Sequence, residues 1–116
     1  MSVYKIVDKT SGELIYIGQT RGLSVRIQYH YAHSLTRISS PLYNYIKSCG
    51  GWANMEFIVL AEVADTRRRI YIENCLQHEF KPKFYWICKN TKIPSKMSEV
   101  FEKTLTLDEN FNILEG

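Results

Sequence analysis

The sequence predicts an α/β (α+β) domain: a small mixed β-sheet flanked by helices, in the order β-β-α-α-β-α, followed by a tail. Three observations predict it. Two short β-branched and aromatic runs, 3–8 and 14–18, stand on either side of the turn residues Lys9-Thr10-Ser11-Gly12. Two stretches of helical spacing come next. A third apolar run, 55–63, then precedes a helix that Asp65 opens and Pro82 closes.

The first two runs read as an antiparallel hairpin, with Gly12 able to take a positive φ in the turn. Pairing Asp8 with Gly12 puts Tyr4 opposite Tyr16, both rings on one face. Gly18 then ends the second strand and hands the chain to a helix. From Leu23 to about Leu35, Leu23, Ile27, Tyr31 and Leu35 form an i, i+4 stripe, with Arg26 and His30 as a second row at its edge. Ser40 and Pro41 signal a second helix as N-cap and first helical residue, burying Leu42, Tyr45, Ile46 and Cys49 until Gly50-Gly51. Within the third strand Phe57-Ile58-Val59-Leu60 is continuously apolar, the pattern of a strand covered on both faces.

The third helix is expected to bury Ile72, Leu76 and Phe80. Glu73 lies beside that stripe, near the core edge. A carboxylate there is costly unless it is paired or coordinates a cation. A salt bridge to Arg69, simple exposure and a bound metal all fit this position. In the remainder, 84–88 reads as a short strand or extended core segment. Residues 95–103 read as a small amphipathic helix capped by Ser95, and 105–107 and 111–114 as short strands.

At 116 residues, with 45% apolar and 13% aromatic content, the chain is expected to form one globular domain. No apolar run approaches membrane-spanning length, so no membrane partner is expected. The first residues lack the order of a secretory leader, which makes an intracellular location the expectation. Cys49, Cys75 and Cys88 are odd in number with no CxxC spacing and read as reduced core thiols. Residues 1–94 hold 13 Lys and Arg against 7 Asp and Glu, whereas 95–116 hold 2 against 5. A basic body with an acidic tail suits a polyanionic partner, though the excess is modest.

The ordered set Tyr4, Tyr16-Ile17-Gly18-Gln19-Thr20, Arg26, His30 and Glu73 resembles the GIY-YIG nuclease family. The two tyrosines match the separation of the family's two named motifs. Arg26 matches its helix arginine, and His30 a histidine one turn on in some restriction and homing members. Pro41-Leu42-Tyr43 opening a helix is family-like, as is Glu73 followed by Phe80-Lys81-Pro82. The likeness spans residues 3–84. Two features depart from it. The first motif reads Ser2-Val3-Tyr4-Lys5, keeping only the tyrosine. The position of the family's asparagine, twelve residues after the glutamate, is Tyr85, with Asn90 nearby.

The resemblance implies a nuclease domain over 1–94, with 95–116 an acidic extension packed on it or serving as a linker. It implies a metal-dependent DNA endonuclease with Tyr4, Tyr16, Arg26, His30 and Glu73 as catalytic residues. Glu73 would hold a single Mg²⁺ or Mn²⁺, since Mg²⁺ commonly takes one or two protein carboxylates and fills its other positions with water and phosphate. Arg26 would place a fixed charge on the scissile phosphate. A tyrosine titrates near pH ~10, so nearby positive charge must lower it before it acts as a base. Gln19 and the flanking basic residues Arg21, Arg37, Lys47 and Lys83 are expected to contact DNA. Specificity would come from the chain's own loops, a homo-oligomer, or a separate specificity domain or partner. The alternative is a nucleic-acid-binding module on the same fold that has lost cleavage.

Overall fold

The computed structural model describes residues 1–36, 40–84 and 100–114. Strands β1 (Ser2–Asp8) and β2 (Leu14–Thr20) form the expected hairpin. Gly12 has φ 73°, and its N–H donates to the Asp8 carbonyl. The register differs from expectation by two residues: Tyr4 pairs with Gly18 and Ile6 with Tyr16. The hairpin closes through Asp8 N–H to Glu13 O, with an irregularity between Ile6 and Val7, so the loop is longer than the simple turn assumed. Side chains alternate with period two, so a two-residue slip keeps both tyrosines on one face.

Strand β3 (Met55–Glu62) lies antiparallel against the other side of β1, and β4 (Lys103–Thr104) extends the sheet to the order β2-β1-β3-β4. Both faces are covered, as the apolar runs require. Val3, Ile17 and Ala61 pack with Ile72 and Leu76 of α3 (Thr66–Phe80). Tyr4, Ile6 and Phe57 pack with Ile27 of α1 (Leu23–Thr36) and with Tyr43 and Ile46 of α2 (Pro41–Ser48).

The helix starts follow the sequence signals. Ser40 accepts from the Tyr43 N–H, with Pro41 behind it, and the Asp65 carboxylate accepts from the N–H groups of Arg67 and Arg68. Two buried stripes differ from expectation. On α2 the buried residues are Tyr43 and Ile46, with Leu42, Tyr45 and Cys49 only partly covered. On α3 Ile72 and Leu76 are buried but Phe80 is 56% exposed, and fully buried Pro82 fills the core beyond the helix end. There Lys81 adopts φ 47°, its N–H bonded to the Gln77 carbonyl. The chain then runs beside β2, with Lys83 and Phe84 N–H groups donating to Leu14 and Ile15. This makes a parallel bridge between Phe84 and Tyr16, so the pairing is mixed.

From residue 100 the chain packs against β3. Phe101 and Leu105 donate backbone N–H groups to Leu60 and Phe57, and β5 (Thr106–Leu107) pairs with β6 (Ile113–Leu114). The helix expected over 95–103 is therefore not helical at its described end, because pairing with β3 claims that backbone. Residues 85–88 and 95–99 of the expected elements lie outside the described residues, as does Cys88. Cys75 is buried, Cys49 is half-buried, and both are free. Among the described residues no helix is long and apolar enough to cross a membrane.

Candidate active site

Tyr4 and Tyr16 project from the face covered by α1 and α2, with ring centres 6.2 Å apart. Gly18 makes this arrangement possible. A Cβ there would sit 2.7 Å from the Tyr16 ring and 2.8 Å from the Tyr4 hydroxyl, closer than real side chains approach. Gly18 lies inside β2 and does not end it, so its role is to leave room for two rings. A tight link follows, in which the Thr20 hydroxyl accepts from Gly22 N–H and donates to Gly22 O. That link starts α1 three residues after β2 and turns Arg26 and His30 toward the tyrosines.

His30 is not at a stripe's edge; it is 4% exposed and sits between two phenols. Its Nε2 is 2.7 Å from the Tyr4 hydroxyl and its Nδ1 2.9 Å from the Tyr43 hydroxyl. Burial, with Arg26 and His33 adding to it, lowers its pKa to about 4, so the imidazole is neutral at physiological pH. Burial also pushes Tyr4 well above the ordinary tyrosine value, reinforced by Tyr16 and opposed by Arg26. Tyr16 moves the same way, raised by burial and then by Glu73, again opposed by Arg26. Tyr43 is pushed up to about 12, chiefly by burial.

Arg26 is half-buried, its guanidinium 5.4 Å from the centre of the Tyr29 ring. Among the described residues no carboxylate pairs with it. Glu73 approaches from α3 and accepts from the Gln19 backbone N–H. Burial raises its pKa to about 7 against the opposing effects of that hydrogen bond, Arg26 and Arg69. Arg69 does not supply the salt bridge considered from sequence. It is 1% exposed, and its Nε donates to Gln19 Oε1 at 2.8 Å and its Nη1 to the Val63 carbonyl at 3.1 Å. Arg69 acts on Glu73 only through its charge, and in doing so it locks the Gln19 side chain.

Two depressions meet at Arg26 and Tyr29. One, about 760 Å³, is lined by Gln19, Arg21, Val25 and Thr66 among others. The second, about 590 Å³, is lined by Tyr16, His30, Tyr43, Lys83 and Phe84 among others. Of the expected DNA contacts, Gln19 and Arg21 thus fall in the first and Lys83 in the second. Lys83 also lies 3.8 Å from the Glu13 carboxylate. Lys47 is exposed on α2 and lines neither, and Arg37 lies outside the described residues, as do Tyr85 and Asn90.

Tyr43, which the sequence marks only as part of a helix opening, and Arg69, which it offers only as a partner for Glu73, are buried members of this neighbourhood. Tyr43 stands three residues before buried Ile46, which marks its helix face as the inner one. Arg69 is in phase with Ile72 and Leu76, a signal hidden by the run Arg67-Arg68-Arg69. Among the described residues no three His, Cys, Asp or Glu side chains converge.

The GIY-YIG catalytic domain model matches residues 1–86. This chain belongs to the GIY-YIG family. No curated protein and no solved structure matches it. The GIY-YIG match covers all the side chains gathered around Arg26, and Lys83 with them. It makes the chain a nuclease-family domain with DNA as its substrate class.

Proposed function

We propose that this domain is a metal-dependent DNA endonuclease in which Tyr4, Tyr16, Arg26, His30 and Glu73 carry phosphodiester hydrolysis. One observation supports this reading above others: Arg26 and Glu73 both act electrostatically on Tyr4 and on Tyr16. Four groups from β1, β2, α1 and α3 therefore share one charge neighbourhood beside an open depression. A carboxyl that burial holds near neutrality is the kind of group a divalent cation relieves, and one carboxylate suffices for Mg²⁺ or Mn²⁺. Glu73 would hold the ion. When bound, it supplies neutralisation of the phosphoryl oxygens and assistance to the leaving oxygen.

The remaining work falls to the chain. Arg26, with no carboxylate in a salt bridge to it among the described residues, binds the scissile phosphate and faces both depressions. Tyr16 lines the second depression, and its hydroxyl has no hydrogen-bond partner among the described residues, so it is free for water or phosphate. Tyr4 lies behind it, bonded to His30. Both phenols are protonated at neutral pH, and Arg26 is the side chain that favours their anionic forms. Arg21 and Lys83 bind the DNA backbone on either side. The test is incubation of the purified protein with supercoiled plasmid and Mg²⁺, with and without chelator, beside Arg26→Ala. Nicking that needs both metal and Arg26 is expected. DNA binding with no cleavage under any metal would favour the binding-module alternative.

A further inference from the structure

We infer that Tyr4 and Tyr43 between them hold His30 in one tautomer, Nε2 accepting the proton of Tyr4 and Nδ1 donating its own to Tyr43. The argument rests on an asymmetry between two phenols that bond to the same ring. Tyr4 is 1% exposed, lines neither depression, and has His30 Nε2 as its one hydrogen-bond partner among the described residues. Leaving a buried hydroxyl's proton unbonded forfeits its hydrogen bond with no water to replace it, so that proton points at Nε2. A neutral imidazole has one donor and one acceptor nitrogen. With Nε2 accepting, Nδ1 carries the hydrogen and donates to the Tyr43 oxygen 2.9 Å away. Tyr43 can take that role because it lines the open second depression, where its own O–H finds solvent or substrate.

The opposite arrangement would have Nε2–H donating to Tyr4 and leave the Tyr4 proton inside the core with nothing to accept it. Tyr43 is thus a positioning residue that acts through His30. Its consequence for the reaction rests on the nuclease reading above. As positive charge gathers near Tyr4, its O–H bond breaks and an Nε2–H bond forms. A phenolate beside Arg26 and an imidazolium result, with Nδ1–H still donated to Tyr43. No proton is lost, and the phenolate is then available as a base.

The test has two independent readouts. Ring-nitrogen NMR of histidine-labelled protein without DNA reports the tautomer directly. The parent is expected to show His30 with the proton on Nδ1, and Tyr4→Phe, which removes the proton that Nε2 accepts, to lose that preference. A parent with the proton on Nε2 overturns the assignment. A Tyr4→Phe protein that keeps it on Nδ1 as fully as the parent overturns the argument from the Tyr4 proton, and if this variant does not fold the parent spectrum still decides the tautomer. Single-turnover cleavage is the second readout. Tyr43→Phe is expected to slow it on the order of a hundredfold, the scale of a proton-transfer residue, with DNA affinity in chelator unchanged. Cleavage at the parent's rate would overturn the link to the reaction. A parent that binds but never cuts would count against the nuclease reading, while the spectra still decide the tautomer.

Discussion

Tyr4 stands opposite Gly18 across β1 and β2, and its hydroxyl lies 2.8 Å from where a Cβ on Gly18 would sit. The glycine is therefore the floor on which the two tyrosine rings rest. Gly18→Ala has no escape at the backbone, and both rings must shift. Overpacking of this kind costs about 1–3 kcal/mol. A shift near 1 Å at reacting groups is worth roughly a hundredfold in rate. Melting temperature and cleavage rate should both fall; a variant that retains both would show that the rings have room to spare.

The two tyrosines, equivalent in the sequence, should respond differently to loss of a hydroxyl. Tyr4→Phe strands the buried Nε2 of His30 and should lower stability by about 1–3 kcal/mol. Tyr16→Phe removes a hydroxyl with no partner among the described residues and should stay within about 0.5 kcal/mol of the parent. Its effect should appear in cleavage, at roughly a hundredfold. Denaturant unfolding of the two variants makes the comparison, and equal stability costs would sink the distinction.

Most of this architecture is legible without coordinates because its elements announce themselves. Ser40-Pro41 and Asp65 open helices, Gly50-Gly51 and Pro82 close them, and the residue run 57–60 marks a strand covered twice. Register was less accessible, since a hairpin loop of five residues and one of three leave the same alternation of faces. What periodicity cannot give is which polar groups turn inward. His30 reads as a helix-edge residue until Tyr4 and Tyr43 are seen on either side of it. Arg69 reads as a salt-bridge partner for Glu73 until the carbonyl of Val63 and the amide of Gln19 are found around its guanidinium. Buried hydrogen-bond partners come from distant parts of the chain, and spacing within one element does not encode them.

DNA binding should weaken with salt. Three to five neutralised phosphates give a slope of log affinity against log salt of roughly −3 to −4.5. Arg21 and Lys83, which line the two depressions, should each reduce that slope by about 0.9 when changed to Ala. Lys47 lines neither and should leave it nearly unchanged. Titrations at several salt concentrations decide this, and a slope change only for Lys47→Ala would place the DNA against α2 and away from Arg26.

Glu73 and His30 pull the pH dependence of stability in opposite directions. His30 has a folded pKa of about 4, below its ordinary 6.5, so its contribution is complete above 6.5 and is lost as pH falls through 4. Glu73 has a folded pKa of about 7, above its ordinary 4.5, so its contribution is complete below 4.5 and is lost as pH rises through 7. Between those limits the two slopes oppose each other and the parent should show a shallow profile. Glu73→Gln removes one of them. The variant should gain stability steadily as pH rises toward 6.5 and, above 7, melt higher than the parent, which carries a desolvated carboxylate there. Mg²⁺ should raise the parent's melting temperature above pH 7 and leave the variant's unmoved, since binding to the folded state alone stabilises it. Cleavage should be lost while DNA affinity in chelator holds or improves. A Glu73→Gln protein that melts lower than the parent at alkaline pH would instead make Glu73 a structural partner of Arg26 or Arg69, and one that cuts at the parent's rate would remove Glu73 from the reaction.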